Sequence, residues 1–329
     1  MLKHSSVTFS QLYEYYEVAA LVEGATKKKC RSAFKQLKAA VGDIQAASLT
    51  VPLIGQYQLH MKEGDLSVAT IRSYFAASSQ VYSWGVENGL LAENPFAAAK
   101  KMRPVKREVQ ILTDDEVEDF CKAAAEKDRQ DPTAKLRWYL LIEIGSTSGL
   151  RAGELQNQRW EDIDLEAGVI RVRYRPDLFG QHWQWGSKGK TDRDVPLSQA
   201  AMDGLHRLRE IAPWRYPFLK RVTCERLLKQ VGTIPEATRK QPYCNFYREL
   251  RQIKALADLY RKARGLPPIK NGGLHVLRKT AITNWVRHGT SMPNAQYGAG
   301  HMSQQTTRDY YIAVLRSEAV ESIRAAITK

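Results

Sequence analysis

Six side chains in the second half of the chain are of types that can handle a phosphodiester. Arg151 lies in GSTSGLRAGEL, Lys188 in GSKGKTDRDVPLS, His275 and Arg278 in HVLR, and His301 and Tyr310 in GAGHMSQQTTRDYY. Guanidinium, ammonium and imidazole groups can donate hydrogen bonds to a phosphate or neutralise it. The phenol can attack phosphorus, but an ordinary tyrosine pKa of ~10 makes it a weak nucleophile unless nearby cations favour the phenolate. Taken together, these types point to phosphoryl transfer through a covalent intermediate.

Each residue also has a plain alternative. Arg151 follows Gly149 near a predicted helix start, where free N–H groups and the helix dipole favour an anion. A lone arginine there is usually just at the surface, and Glu154, three residues on, can pair with it. Lys188 falls in a predicted β-turn, where lysines are mostly solvated, and Lys190 is its rival. An ammonium on a hairpin tip can nevertheless reach a cleft and protonate a leaving oxygen. His275 and Arg278 are three residues apart on a predicted helix and share a face. A single histidine such as His301 is more often packed or at the surface. A tyrosine in a late helix is usually core, and Tyr311 stands beside Tyr310.

The elements that must position these groups fall into two regions. Residues 7–98 have helical spacing throughout. VTFSQLYEYYEVAALVE, TKKKCRSAFKQLKAAVG, SLTVPLIGQYQLHMKEG and SVATIRSYFAASSQVYSWGVENGLL each predict a helix, with Gly42 and Gly89 as stops and Pro95 just beyond. This predicts a helical bundle domain over 1–99. The stretch 100–110, KKMRPVKREVQ, is basic, contains Pro104 and lacks periodicity, so it reads as a linker. Its Lys100, Lys101, Arg103, Lys106 and Arg107 are candidates for contact with a phosphate backbone. A second domain is expected over 111–329. Thr113 and Glu116 form a capping box at its first helix. KLRWYLLIEIGSTSG is an apolar helix, and LRAGELQNQRW begins another. GVIRVRY alternates and reads as a strand, followed by a hairpin around Gly186–Gly189. Ser198 can cap the next helix, and 199–264 is mostly helical. HVLRKTAITNWVRHG predicts a helix with Leu277, Ala281, Ile282 and Trp285 on its apolar side, and 317–327 a last amphipathic helix. The expected fold class is mainly α with a small antiparallel β-sheet (α+β).

Composition narrows the partner. The 329 residues carry 50 Lys+Arg against 35 Asp+Glu, a net charge of +15, which favours a polyanion. Most of the excess lies beyond residue 100, and 213–270 alone holds fourteen basic and four acidic residues. No apolar run approaches the ~20 residues that span a bilayer, and the N-terminus lacks the apolar core of a signal peptide. Charge alone does not tell DNA from RNA or anionic lipid; a cytoplasmic protein is expected, with no membrane partner. The cysteines at 30, 121, 224 and 244 form no CxxC pair, so neither a zinc knuckle nor a disulfide framework is indicated. No Asp/Glu cluster suggests a two-metal site, and no cofactor is expected.

The order and spacing of these strings resemble the tyrosine recombinases of the phage-integrase and Xer type. TSGLRAGEL resembles the family's first arginine box, with Glu154 at the expected offset. KGKTDRDVPL resembles the lysine hairpin, and counting back seven from Val195 selects Lys188 over Lys190. LHVLRKTAITNW resembles the HxxR box. GHMSQQTTRDYY resembles the closing box, where nine residues from histidine to tyrosine select Tyr310 over Tyr311. The likeness covers about 110–320. The front half agrees with the family's core-binding domain in size and class but carries no diagnostic motif. Two departures stand out: Lys279 sits where the family often has histidine, and 86 residues separate Lys188 from His275.

The resemblance implies a site-specific DNA recombinase or integrase. Tyr310 would attack a DNA phosphate, leaving a 3′-phosphotyrosyl bond and a free 5′-hydroxyl, without ATP or metal. Arg151 and Arg278 would hold the non-bridging oxygens, and Lys188 would protonate the leaving oxygen. His275 would assist proton transfer, His301 would hydrogen-bond the phosphate, and Glu154 would orient neighbours. Strand exchange implies double-stranded DNA and a homo-tetramer upon it, with 317–327 docking on a neighbour. The two domains are expected to clamp the duplex. An accessory directionality factor is a further candidate partner. No arm-binding domain is expected before residue 7. A type IB topoisomerase-like cut-and-reseal enzyme, a DNA-binding protein with an inactive site and, on composition alone, a metal-dependent nuclease are the competing readings.

Overall fold

The computed structural model describes residues 7–22, 24–103, 110–130, 137–173, 192–230, 246–300 and 327. The chain divides into two compact units, Met1–Arg107 and Glu108–Lys329.

The first unit holds α1 (Phe9–Ala19), α2 (Gly24–Val41), α3 (Val51–Glu63) and α4 (Val68–Glu87). Thr8 and Gln11 form a capping box at α1, each side chain accepting from the other's backbone N–H. Gly42, at φ +82°, ends α2 in the left-handed region that glycine adopts without penalty. Ser67 caps α4 by accepting from the Thr70 amide. The helices close over Phe9, Leu12, Tyr16, Phe34, Tyr57, Phe75 and Tyr82, all buried. Phe96 packs edge-on against Phe75 with ring centroids 5.1 Å apart. The enclosed phenols donate to backbone carbonyls, Tyr57 to Ala33 at 3.2 Å and Tyr82 to Ala46 at 3.1 Å. Residues 100–102 are tied to this unit: Gln58 donates to the Lys100 carbonyl at 3.0 Å, and Arg72 to that of Met102 at 2.5 Å.

The second unit opens with α5 (Asp114–Gln130), capped by Thr113 and Glu116 as the sequence predicts. Then come α6 (Arg137–Thr147) and the short α7 (Ala152–Gln156). A three-stranded antiparallel sheet follows: β1 (Ile163–Asp164), β2 (Val169–Val172) and β3 (Arg193–Pro196), in that order. Ile170 faces Val195 in the register and Val172 faces Arg193. The remaining described helices are α8 (Gln199–Ile211), α9 (Arg221–Gln230), α10 (Phe246–Ala263), α11 (Leu274–Arg287) and α12 (Met292–Ala299). The mainly helical fold with a small antiparallel sheet is thus the expected one. The hairpin tip placed around Gly186–Gly189 lies outside the described residues. β1 and α12 were not foreseen. β1 is two residues long, too short to carry a period.

At the centre, α6 buries Leu140, Leu141, Ile142 and Ile144. It approaches α8 closely at Gly204, where an added Cβ would lie 2.5 Å from a Leu140 methyl. It meets α11 at Gly145, whose Cβ would contact Leu277 at 3.2 Å. These contacts fix α11 and the chain that follows α6, both of which carry candidate residues from the sequence.

Candidate functional site

The site grows from the reversal that follows α6. Gly149 adopts φ +61° with the Trp285 ring against it; a Cβ there would fall 2.7 Å from that ring. Trp285 Nε1 donates to the Thr147 carbonyl at 2.8 Å, so α11 holds the reversal in place. The next residues start α7 with Arg151 at its N-cap, and the Glu154 carboxylate accepts the Arg151 N–H at 2.8 Å. The sequence reading therefore places both residues correctly at a helix start.

Three arginines from three separate segments meet the end of α12. Its last carbonyls lack helical partners. Gly298 O accepts from Arg193 Nε at 2.9 Å, Ala299 O from Arg278 Nη2 at 2.6 Å and Gly300 O from Arg151 Nη2 at 2.5 Å. Arg278 also donates to Gly149 O at 2.5 Å, joining the reversal to α12. Cations at a helix C-terminus complement its dipole, so the arrangement satisfies α12 while gathering positive charge. Gly300, the residue before His301, ends the helix at φ +59°.

Access differs among the three. The Arg151 side chain is 24% exposed, whereas Arg278 is 3% exposed and the Arg193 side chain 2%. Glu154, buried, accepts from Arg151 Nη1 at 2.9 Å and from Arg193 Nη2 at 2.5 Å. Burial works against its ionisation, but the hydrogen bond and charge of Arg193, with the Arg151 amide and charge, outweigh it and hold the carboxyl below its ordinary value. His275 is at the surface of α11, one turn before Arg278. Desolvation, then the charges of Lys279 and Arg278, lower its imidazole below the usual range and favour the neutral form.

Lys188, His301, Tyr310 and 317–326 lie outside the described residues. The described tyrosines include several whose phenols are driven the wrong way for a nucleophile. Burial raises Tyr16, Tyr57, Tyr82 and Tyr216. Lys100, Lys101 and Arg103 are exposed, with Lys101 Nζ 5.4 Å from the Phe75 ring centroid; Lys106 and Arg107 lie outside the described residues. Of the fourteen cations in the basic stretch 213–270, five are paired with carboxylates among the described residues. Arg215 pairs with Glu161, Arg221 with Glu225, Lys254 with Asp258, and Arg261 and Arg264 with Asp115.

Sequence reasoning missed Arg193 and α12, and both left signals. In RDVP the period of two puts Arg193 on the same face as core-facing Val195, so a buried charge needing a partner was implied. Ser291 as N-cap, Pro293 in the first turn and Gly300 past the end are helix punctuation around residues of mixed type. No described helix is long and apolar enough to cross a membrane, and no group of three metal-ligating side chains occurs among the described residues.

Known proteins match in the same places. The phage integrase family matches residues 110–318, and the phage integrase SAM-like domain matches 8–102. The tyrosine recombinase XerC of Corynebacterium efficiens is 24% identical over 302 residues, covering 92% of this chain and 85% of that protein. That of Thermodesulfovibrio yellowstonii is 26% identical over 243 residues, covering 74% and 68%. With the XerC of Xylella fastidiosa, 29% identical over 140 residues, the match covers 43% of this chain and 42% of the relative's length. Among solved structures, the Tn1549 transposon integrase in complex with a circular intermediate DNA superposes with a TM-score of 0.71, at 19% identity, over 93% of this chain and 95% of that one. A lambda integrase dimer bound to a COC′ core site gives 0.63, at 18% identity, over 94% and 78%.

Proposed function

The chain belongs to the phage integrase family, and on that footing we propose that it is a tyrosine-type site-specific DNA recombinase. The observation that carries the reading is the convergence of Arg151 and Arg278 on the adjacent carbonyls of Gly300 and Ala299, immediately before His301 in the chain. They come from boxes 127 residues apart, and a phosphate is the anion whose non-bridging oxygens suit two such groups. Among the described residues, Arg151 uses two side-chain N–H groups, one to Glu154 and one to Gly300. A guanidinium has five such donors, so some remain for a ligand at the rim, with Arg278 at the floor.

In this reading the Tyr310 oxygen attacks a DNA phosphorus. The new bond is a 3′-phosphotyrosine, and the bond that breaks releases a 5′-oxygen, which Lys188 protonates. Arg151 and Arg278 stabilise the charge that builds on the non-bridging oxygens. Neutral His275 can take up the phenolic proton, and His301 hydrogen-bonds the phosphate. The phosphotyrosine conserves the energy of the ester, so attack by a partner strand's 5′-hydroxyl needs no ATP. The first unit, with Lys100, Lys101, Arg103, Lys106 and Arg107, is proposed to contact the duplex along its backbone. Exchange between two duplexes calls for four sites, hence a tetramer on DNA with 317–327 docking between copies. A lambda integrase tetramer bound to a Holliday junction supports that arrangement. A directionality factor and a nucleoid location complete the proposal.

The test is trapping on a nicked suicide duplex bearing the chain's recombination site. The parent is expected to give a covalent adduct, also in EDTA, and to transfer strands between two duplexes. Tyr310→Phe is expected to bind and give none. An adduct in that variant would remove the nucleophile, and relaxation without transfer would favour the topoisomerase reading.

A further inference from the structure

We infer that Arg193 is the buried counter-ion of Glu154 and that, by neutralising this carboxylate, it leaves the charge of Arg151 available to the DNA phosphate. The inference rests on the recombinase reading and adds a positioning residue to it.

Two arginines share one carboxylate. Glu154 Oε1 accepts from Arg151 Nη1, and Oε2 accepts from Arg193 Nη2 and from the Arg151 amide. A buried carboxylate needs an opposite charge in contact, because an unpaired ion away from water is strongly disfavoured. The Glu154 and Arg193 side chains are 1% and 2% exposed, so they are enclosed together, and both the Nε and Nη2 donors of Arg193 are already met by Gly298 O and Glu154. Arg151 is the member at the surface. The three groups sum to one positive charge. Without Arg193, Arg151 and Glu154 sum to zero, and the carboxylate competes directly with phosphate for the Arg151 donors. The charged groups that the described residues bring to Glu154 are Arg151, from the N-cap of its own helix, and Arg193, from β3.

The mount is rigid. Arg193 pairs with Val172 in the β2–β3 ladder. Its Nε holds Gly298 O, and a methyl on Gly300 would lie 2.8 Å from its Nη1. The guanidinium is therefore fixed from the strand, from α12 and from Glu154, and it acts on the reaction through Arg151.

The experiment compares the full-length parent, Arg193→Met, Arg193→Lys and the double variant Arg193→Met/Glu154→Gln on a suicide duplex at saturating protein. Arg193→Met is expected to slow adduct formation about 100-fold, and Arg193→Lys, which keeps the charge, by less. The double variant is expected to recover about tenfold over Arg193→Met, because the carboxylate that required neutralising is gone. Loss of packing alone gives no such rescue. Arg193→Met within about threefold of the parent, or a double variant no faster than Arg193→Met, overturns the inference. A readout without cleavage is the urea midpoint at about pH 8 and about pH 5. In the parent, the lowered Glu154 pKa keeps the group ionised and stabilising at both. In Arg193→Met the folded-state pKa rises, so the deficit relative to the parent is expected to narrow on acidification; an unchanged deficit overturns the assignment. If Arg193→Met does not fold, the double variant is expected to fold, and its failure is equally decisive against it. A parent that forms no adduct sinks the recombinase reading, and the urea comparison still judges the counter-ion.

Discussion

Among its described residues the first unit buries Phe9, Phe34, Tyr57, Phe75 and Tyr82 and no charged side chain, whereas the second buries Arg137, Arg159, Arg193, Arg261 and Arg278. An aromatic interior asks for volume and for a carbonyl near each phenol, demands that many sequences meet. A buried arginine asks for particular partners, because its desolvation cost is recovered only when its donors are met. Arg137 finds Glu249, Arg193 finds Glu154 and Arg261 finds Asp119, each on a distant segment. The second unit is therefore cross-linked by charge in addition to its hydrocarbon core, where the described core of the first holds no charged side chain. Damage to the first should register as lost stability, and damage to the second as lost chemistry.

The contrast breaks most plainly at Phe75, fully buried on α4 with its ring against Phe96. Phe75→Ala is expected to cost the first unit about 3–5 kcal/mol. Amide exchange would show the loss in α1–α4 and leave α6 and α11 protected; equal loss in both units would refute separate interiors. Next in size is Arg278→Ala. Adduct formation on the suicide duplex should fall about 100- to 1,000-fold, as for the loss of one preorganised donor to a charged transition state. A rate within about twofold of the parent would show that this buried arginine serves structure alone. The smallest expected effect is a displacement. Desolvation, Lys279 and Arg278 together lower the His275 pKa, so Lys279→Gln removes one of these and should move the imidazole titration to higher pH. Histidine NMR would follow it; no movement, or movement to lower pH, would remove Lys279 from the account.

What the sequence made legible follows from range. Helix periods, the Thr113–Glu116 box, the Ser198 cap and the Arg151–Glu154 start are local patterns, and each stands where expected. The joining of Arg151 to Gly300 and of Arg278 to Gly149 spans well over a hundred residues, and no local period encodes it. Family resemblance supplied the residues, but not the row of carbonyls that gathers them. Arg193 was overlooked because it stands in the lysine string yet belongs chemically to the arginine box. The basic stretch 213–270 suggested a nucleic-acid surface by count alone, although carboxylates on α5 and elsewhere already claim several of its cations.

Those internal pairs bear on how affinity should respond to ionic strength. The steepness of that response reflects ions displaced from the duplex by groups that touch it. Arg261, enclosed and bridging Asp115 and Asp119, displaces none. A titration with potassium chloride therefore measures the footprint on the backbone, a quantity smaller than the 50 basic residues of the chain.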